Sequence, residues 1–504
     1  MSLGLVGIVL SLGLLMYLAY RGINVLILAP ILALLATLLA GGPLLATYTQ
    51  VFMPALGKYA ITYFPLFLLG AIFGKVMDVS GSAKAIADFI VDRIGASRAI
   101  LAITLACGIL TYGGVSLFVV AFAVFPIAAA LFKESGIPKR LIPATIALGS
   151  FTFTMTALPG TPAIQNAIPS PYFSTNAFAA PGLGLVAGLI MFGGGVAWLN
   201  HRSRKLVAAG EVYEPPVMPG GGGFLGLGGR KSDDDAPLDG GDGSAGATVA
   251  VKEKAPALEV SETDEDLMDR PEVPWAIAFL PIFVVIALNY ALVNWIFPAM
   301  DFEYLKQEAY GSVGIDDVAG IWGIIVALVA SIVIALGANW TRIADVKGAV
   351  NEGTMGSLLP IFNTASEVGY GAVISSLAAF ATIKDAVLGI SGNPLVSLAL
   401  SVNVLAGITG SASGGMSIAL EALGDQFKTM AIEQGISLEL VHRVTAISSG
   451  GFDALPHNGA VITLLAICGL SHRQSYKDIA VVAIAVPVLA LVVVILLGTI
   501  FGSF

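Results

Sequence analysis

The chain has 504 residues, a net charge of −9 and a mean hydropathy of +0.87, with 56% of its residues hydrophobic and 12% charged. Soluble domains carry about 25% charged residues, so a water-soluble globular fold is excluded, and the acidic balance offers no footing for nucleic acid. What remains is an all-α polytopic membrane protein, solvated by the lipid bilayer and read as multi-pass in the inner (cytoplasmic) membrane.

In chain order, the first apolar stretch is Leu3 to Tyr20. No Lys or Arg precedes Arg21 and a second apolar run follows at once, so the stretch reads as a retained helix rather than a secretory signal. Further runs long enough to enter about 30 Å of hydrocarbon follow. They are Ile23 to Ala40, Ile100 to Leu110, Leu117 to Leu131, Pro181 to Leu199, Trp275 to Phe297, Ile321 to Leu336 and Ile479 to Phe501. The two cysteines, Cys107 and Cys468, lie inside apolar segments with neither a disulfide framework nor a metal-ligand spacing. They read as small packing residues. "FKESGIPKR" (132–140) and "SHRQSYKD" (471–478) read as polar loops, and His442 and Arg443 as anchors of a helix end at the interface.

Residues 201–273 carry 15 acidic and eight basic residues, so most of the net charge belongs to this one segment. Its "PGGGGFLGLGGRKSDDDAPLDGGDGSAG" has few aromatics and no periodicity, a composition expected to stay disordered. The basic "HRSRK" at its entry places it on the cytoplasmic side. The predicted organisation is therefore a first membrane repeat at 1–200, an acidic loop at 201–273 and a second membrane repeat at 274–504.

The two halves share motifs. "TALPGTPAIQNAI" (156–168) matches "DALPHNGAVITLL" (453–465), and upstream "GGVS" (113–116) matches "GGMS" (414–417) in the same order. The surrounding stretches "TYGGVS", "ALPGTP", "GITGSASGGMS" and "ALPHNG" interrupt runs that a membrane helix would keep smooth. Non-helical backbone at membrane depth is tolerated where it is buried in protein or lines a wet cavity. Paired interruptions in two halves are the mark of a secondary transporter's binding site, and their free N–H groups suit an anion.

"YGGVS", "FTFTMTALPGTPAIQN", "NTASEVGYGAV", "GITGSASGGMS" and "SGGFDALPHNGAVITLL" together resemble the gluconate permease (GntP) family of the ion transporter superfamily, over roughly 1–200 and 274–504. The resemblance implies two inverted-topology repeats with re-entrant hairpins and discontinuous helices, about 11–14 membrane segments and an elevator-type carrier acting as a homodimer. It implies proton symport of a small hydroxy-carboxylate, gluconate-like or 3-hydroxybutyrate, with closer likeness to the hydroxybutyrate branch. The acidic loop is not a feature of that family's core.

Candidate substrate ligands are Gly114, Ser116, Ser411, Ser413, Gly415 and Ser417, where glycines admit close approach and hydroxyls donate. Close helix packing through small residues is the competing reading. Thr156, Gly160, Thr161 and Asn166 form a second polar cluster around Pro159; a membrane Thr can instead bond back to its own helix. Asn363 and Asn458 complete the set. The repeat match puts Asp453 opposite Thr156 and His457 opposite Gly160, so only the second half can titrate there. Intramembrane ionisable residues mark ion or proton pathways by default, and a histidine changes charge near neutral pH. Asp453 and His457 are thus proton-coupling candidates, with a mutual structural lock as the competing reading. Glu367 is the third; a salt bridge to Lys75 or Lys384 would be its structural explanation. Glu421 is left open.

The coupling ion is read as a proton, with sodium as the variant of the same fold, and no cofactor or metal is expected. An intramembrane serine hydrolase pairing Ser413 with His457 is the other class considered. "SASGG" lacks the G-x-S-x-G elbow, and no P-loop or H-E-x-x-H is present. A non-enzymatic carrier is the expectation.

Overall fold

A computed structural model describes residues 3–21, 23–213, 273–456 and 458–504, where all regular secondary structure is helical. The acidic segment 214–272, expected to be disordered, and His457 lie outside the described residues.

Five helical stretches are long and apolar enough to cross a membrane: Leu44–Val79, Pro181–Ala208, Trp275–Ala299, Ile315–Ala338 and His472–Phe501. Two bent pairs, Ser82–Ile94 with Ala96–Tyr112 and Val346–Ser376 with Phe380–Leu388, turn through 98° and 96° and raise the number to seven. Leu3–Leu18, Val25–Leu39 and Pro394–Thr409 are shorter apolar helices. The described residues thus hold five to seven full-length spans, and several further helices stop part-way. Ile142–Ser150 has nine residues, about 14 Å at ~1.5 Å per residue, which is half a bilayer.

Two long helices, Met53–Val79 and Val346–Ser376, pack antiparallel at the centre. A Cβ at Gly353 would sit 2.7 Å from Ile72 Cα, and one at Gly369 would sit 3.0 Å from the Phe52 ring, so glycine sets the close approach along both ends of the contact. Lys75 closes one end with a 2.8 Å ion pair to Glu352. Helix Leu3–Tyr20 is held in the core by buried Ile8 and Leu15 and by a 2.8 Å hydrogen bond between the Ser11 and Tyr370 hydroxyls.

Two boundaries differ from the sequence reading. The division at 200/201 falls inside helix Pro181–Ala208, which runs on through "HRSRK". "SHRQSYKD" is a helix, His472–Ala480, opened by a capping box between Ser471 and Gln474. The reason is one buried pair: Asp478 is fully buried and accepts from Arg202 Nε at 3.1 Å and Trp198 Nε1 at 3.2 Å. A polar eight-residue stretch that looks like a loop belongs to a packed helix whose inner face carries Ser475 and Asp478.

Candidate transport site

The helix interruptions fall where the sequence puts them, with one change of register. In the first half a helix ends at Tyr112 and resumes at Leu117, so Gly113 to Ser116 form the break. In the second half a helix ends at Thr409 and resumes at Ala412. Gly414, Gly415 and Ser417 therefore lie inside the resumed helix, and "GGVS" and "GGMS" do not occupy equivalent places. The break itself is Gly410-Ser411; Gly410 has φ +66° and Gly114 φ +94°, left-handed conformations that favour glycine.

The resumed helix Ala412–Glu433 begins at a cluster of oxygen-bearing side chains. Ser411 caps it, its hydroxyl accepting from Gly414 N at 3.0 Å. Ser413 lies 3.5 Å from the Ser411 hydroxyl and 3.3 Å from that of Thr364, on helix Val346–Ser376. One turn further along that helix, Glu367 is 2% exposed and its carboxylate lies against Gly414, beside the Ser411 hydroxyl. A Cβ at Gly414 would overlap the carboxylate. The Asp453 carboxylate, half-buried, faces the Ala412 N–H of the same helix start. Two carboxylates thus flank one helix N-terminus, where the exposed N–H groups favour negative charge.

Glu367 has no ion pair among the described residues. Lys75, the partner considered from sequence, is committed to Glu352 at 2.8 Å and Asp78 at 3.8 Å. Glu367 Oε2, Asn363 Oδ1 and Ser417 Oγ are buried without a hydrogen-bond partner. Such atoms are uncommon in folded proteins and mark a place where a ligand, an ion or a proton is expected.

The other candidates are differently placed. Gly415 meets the Ala406 backbone, so its missing side chain permits the close approach of helices Pro394–Thr409 and Ala412–Glu433. Gly160 (φ +82°) is covered by the Phe178 ring and donates to Ala177 O at 2.9 Å. Gly114 faces Pro162, and Ser116 lies against Gly74 of the central helix. Thr156 bonds back to Thr152 O and touches Gly450. Thr161 accepts from Ala163 N at 3.3 Å. Asn458 caps helix Gly459–Ile467 and donates to Gly410 O at 2.7 Å, tying the two second-half breaks together. His457, and with it the pairings to Asp453 and Ser413, lies outside the described residues.

Asn166 belongs to a bracket that the sequence reading missed. His442 and Arg443, expected at the interface, are both fully buried. Arg443 donates to Asn166 Oδ1 at 3.0 Å, Ala177 O at 3.2 Å, and Ala179 O at 3.0 and 2.7 Å from two nitrogens. Asn166 donates to Thr161 O at 3.1 Å and Ala177 O at 2.9 Å, while His442 lies 3.4 Å from its Oδ1 and 2.7 Å from the Thr175 hydroxyl. Every polar group of the Asn166 amide is thereby used within the protein. An arginine in the second turn of a short helix gave no sign in sequence of being buried.

The proline carbonyl in each break is also captured. Tyr112 donates to Pro159 O at 2.7 Å; His472 Nε2 lies 2.8 Å from Pro456 O, with Tyr476 donating to Ala454 O at 3.1 Å. Glu421, left open from sequence, accepts from the Tyr172 hydroxyl at 3.2 Å.

Long apolar helices broken around buried, unpaired oxygens define the class: a multi-pass membrane transporter. The chain belongs to the same family as an uncharacterized transporter, YxjC, of Bacillus subtilis (strain 168), to which it is 43% identical over 481 residues, 94% of each chain. No family model matches the chain.

Proposed function

We propose that the protein is a proton-coupled symporter of a small hydroxy-carboxylate, gluconate-like or 3-hydroxybutyrate, with two inverted repeats and elevator-type movement as the resemblance to gluconate permeases implies. The observation that carries this reading is the unpaired Glu367 carboxylate seated on the start of helix Ala412–Glu433, with Asp453 beside it. Asn363, Ser411, Ser413 and Ser417 supply polar groups for the substrate around that point.

Magnitudes decide the coupling. A helix N-terminus favours an anion by about 0.3–2 kcal/mol. A second negative charge about 4 Å from an ionised carboxylate costs about 4 kcal/mol at an effective dielectric near 20. A substrate carboxylate therefore cannot share this helix start with ionised Glu367. Protonation of Glu367 removes the repulsion and frees the N–H groups, so substrate and proton bind together and travel together.

The sign follows. Affinity for the acid rises as pH falls, and Glu367→Gln, a permanently neutral stand-in, weakens that dependence, leaving only the part that Asp453 contributes at the same helix start. The test is calorimetric binding of 3-hydroxybutyrate and gluconate to purified protein between pH 5.5 and 8.5. Wild-type affinity that is flat across this range contradicts proton coupling.

A second reading has its own observation. Glu367, Asn363 Oδ1 and the Thr364, Ser411 and Ser413 hydroxyls form an all-oxygen set of the kind hard cations prefer. Sodium at that place would also neutralise Glu367. Binding tightened by sodium at fixed pH would favour it.

A further inference from the structure

Buried hydroxyls extend from Glu367 towards a second acid. Helix Ala412–Glu433 presents Gly414, Ser417 and Glu421 along one face, at the i, i+3, i+7 spacing. Gly414 carries the Glu367 carboxylate. Ser417, fully buried, lies beside the Tyr59 hydroxyl of the central helix Met53–Val79. The Tyr59 and Tyr63 rings, one turn apart, have centroids 4.6 Å apart. Tyr63 lies within the electrostatic reach of Glu421, and Tyr172 donates to Glu421 at 3.2 Å. Tyr59 Oη, Ser417 Oγ and Glu367 Oε2 are each buried without a hydrogen-bond partner among the described residues, and Ser417 follows Gly414, which meets the Glu367 carboxylate, by one helical turn. Simple packing would be served equally by phenylalanine and alanine, which leave no orphaned hydroxyl.

We propose that Ser417, Tyr59, Tyr63 and Tyr172 form a proton path between Glu367 and the half-buried Glu421. The inference rests on the proton-coupled reading and names its route. In the release direction Glu367 gives its proton to the Ser417 oxygen. Each hydroxyl passes its own proton onward as it accepts one, and Tyr172 delivers the last to the Glu421 carboxylate. One proton moves, Glu367 is left ionised, Glu421 is left neutral, and no other bond changes. The 3.2 Å bond from Tyr172 to Glu421 already points this way. Tyr63 is turned to Ile168 O at 3.0 Å and must rotate to take part. Ordered water completes spans longer than one hydrogen bond.

Few charges compete for the route. Glu367 faces Tyr59 from the central helix, Ser411 and Ser413 from helix Ala412–Glu433, and Asp453 across the Ala412 N–H. Ser366, its neighbour, donates to the Leu26 carbonyl of helix Val25–Leu39 at 3.3 Å. Beyond Glu421 on its own helix come Asp425 and then Lys428, which lies 3.4 Å from the Ser174 hydroxyl.

The test needs no substrate. The infrared carboxyl band of Glu367, assigned by its loss in Glu367→Gln at acidic pH, is followed after transfer of the purified protein to heavy water. Tyr59→Phe, Tyr172→Phe and Ser417→Ala are each expected to slow hydrogen–deuterium exchange of that band by about tenfold or more. Exchange at the wild-type rate in all three folded variants overturns the path. The companion measurement, the pH dependence of wild-type substrate binding, judges proton coupling separately, so either idea can fail while the other is read.

Discussion

The two helix breaks built around Ala-Leu-Pro differ in how completely their polar groups are used. In the first half, Tyr112 takes Pro159 O, Gly160 bonds Ala177 O, and Asn166 and Arg443 bind one another and the carbonyls of Thr161, Ala177 and Ala179. The second half captures Pro456 O with His472 in the same manner, yet leaves Glu367 Oε2, Asn363 Oδ1, Asn403 Oδ1 and Ser417 Oγ without partners nearby. A saturated network holds one geometry, whereas unpaired buried groups cost free energy unless something binds them. On the proposed carrier reading the first break is the fixed wall of the site and the second its working side, although the Thr111, Ser150 and Ser170 hydroxyls of the first half are also buried without partners.

The largest expected effect breaks the wall. Arg443→Met removes both donors of the Ala179 carbonyl and the 3.0 Å donor of Asn166 Oδ1, at about 1–3 kcal/mol each, while Ala177 O keeps Gly160 N and Asn166 Nδ2. Little monodisperse protein is expected on fluorescence-detected size exclusion, and a native elution profile would show the bracket to be dispensable. On the working side, Glu367→Gln has the opposite profile. It removes an unpaired buried acid, so thermal stability holds or rises while uptake driven by a pH gradient is lost. A lower melting temperature with driven uptake intact would reverse the assignment of the two sides.

Gly414→Ala sharpens the comparison at smaller scale. The new Cβ takes the place of the Glu367 carboxylate, an overpacking that costs about 1–3 kcal/mol. Substrate affinity should fall and lose its pH dependence, whereas Gly70→Ala, where a Cβ meets nothing within 4 Å, should change neither. The smallest effect belongs to Tyr112→Phe, which loses one hydrogen bond, about 1 kcal/mol. A melting temperature a few degrees lower with uptake unchanged is expected, and lost coupling would mean that the first break also works.

Much of this was legible in the sequence because apolar runs and glycine-proline interruptions are local signals. The breaks at Gly113, Gly410, Pro159 and Pro456 could be located, and Glu367 and Asp453 stood out as acids in apolar surroundings. What could not be read depends on partners distant in the chain. Arg443 and His442 look like interface residues until Asn166, the Thr175 hydroxyl and the Ala177 and Ala179 carbonyls are brought to them. "SHRQSYKD" looks like a loop until Arg202 reaches Asp478. Gly415 and Ser417 looked equivalent to Gly114 and Ser116 because two short motifs match in letters, while the helix starts that give those letters meaning differ. Tyr59, Tyr63 and Tyr172 carried no sequence signal, since aromatic residues are ordinary in membrane helices.

The most direct test of the central claim is uptake of labelled 3-hydroxybutyrate and gluconate into proteoliposomes under an imposed pH gradient or an imposed sodium gradient. Wild type is run beside Glu367→Gln and Asp453→Asn. Accumulation driven by the pH gradient is expected in wild type, with its loss in Glu367→Gln while exchange of substrate across the membrane is retained. Accumulation driven by sodium alone, or proton-driven accumulation that survives Glu367→Gln, would contradict that claim.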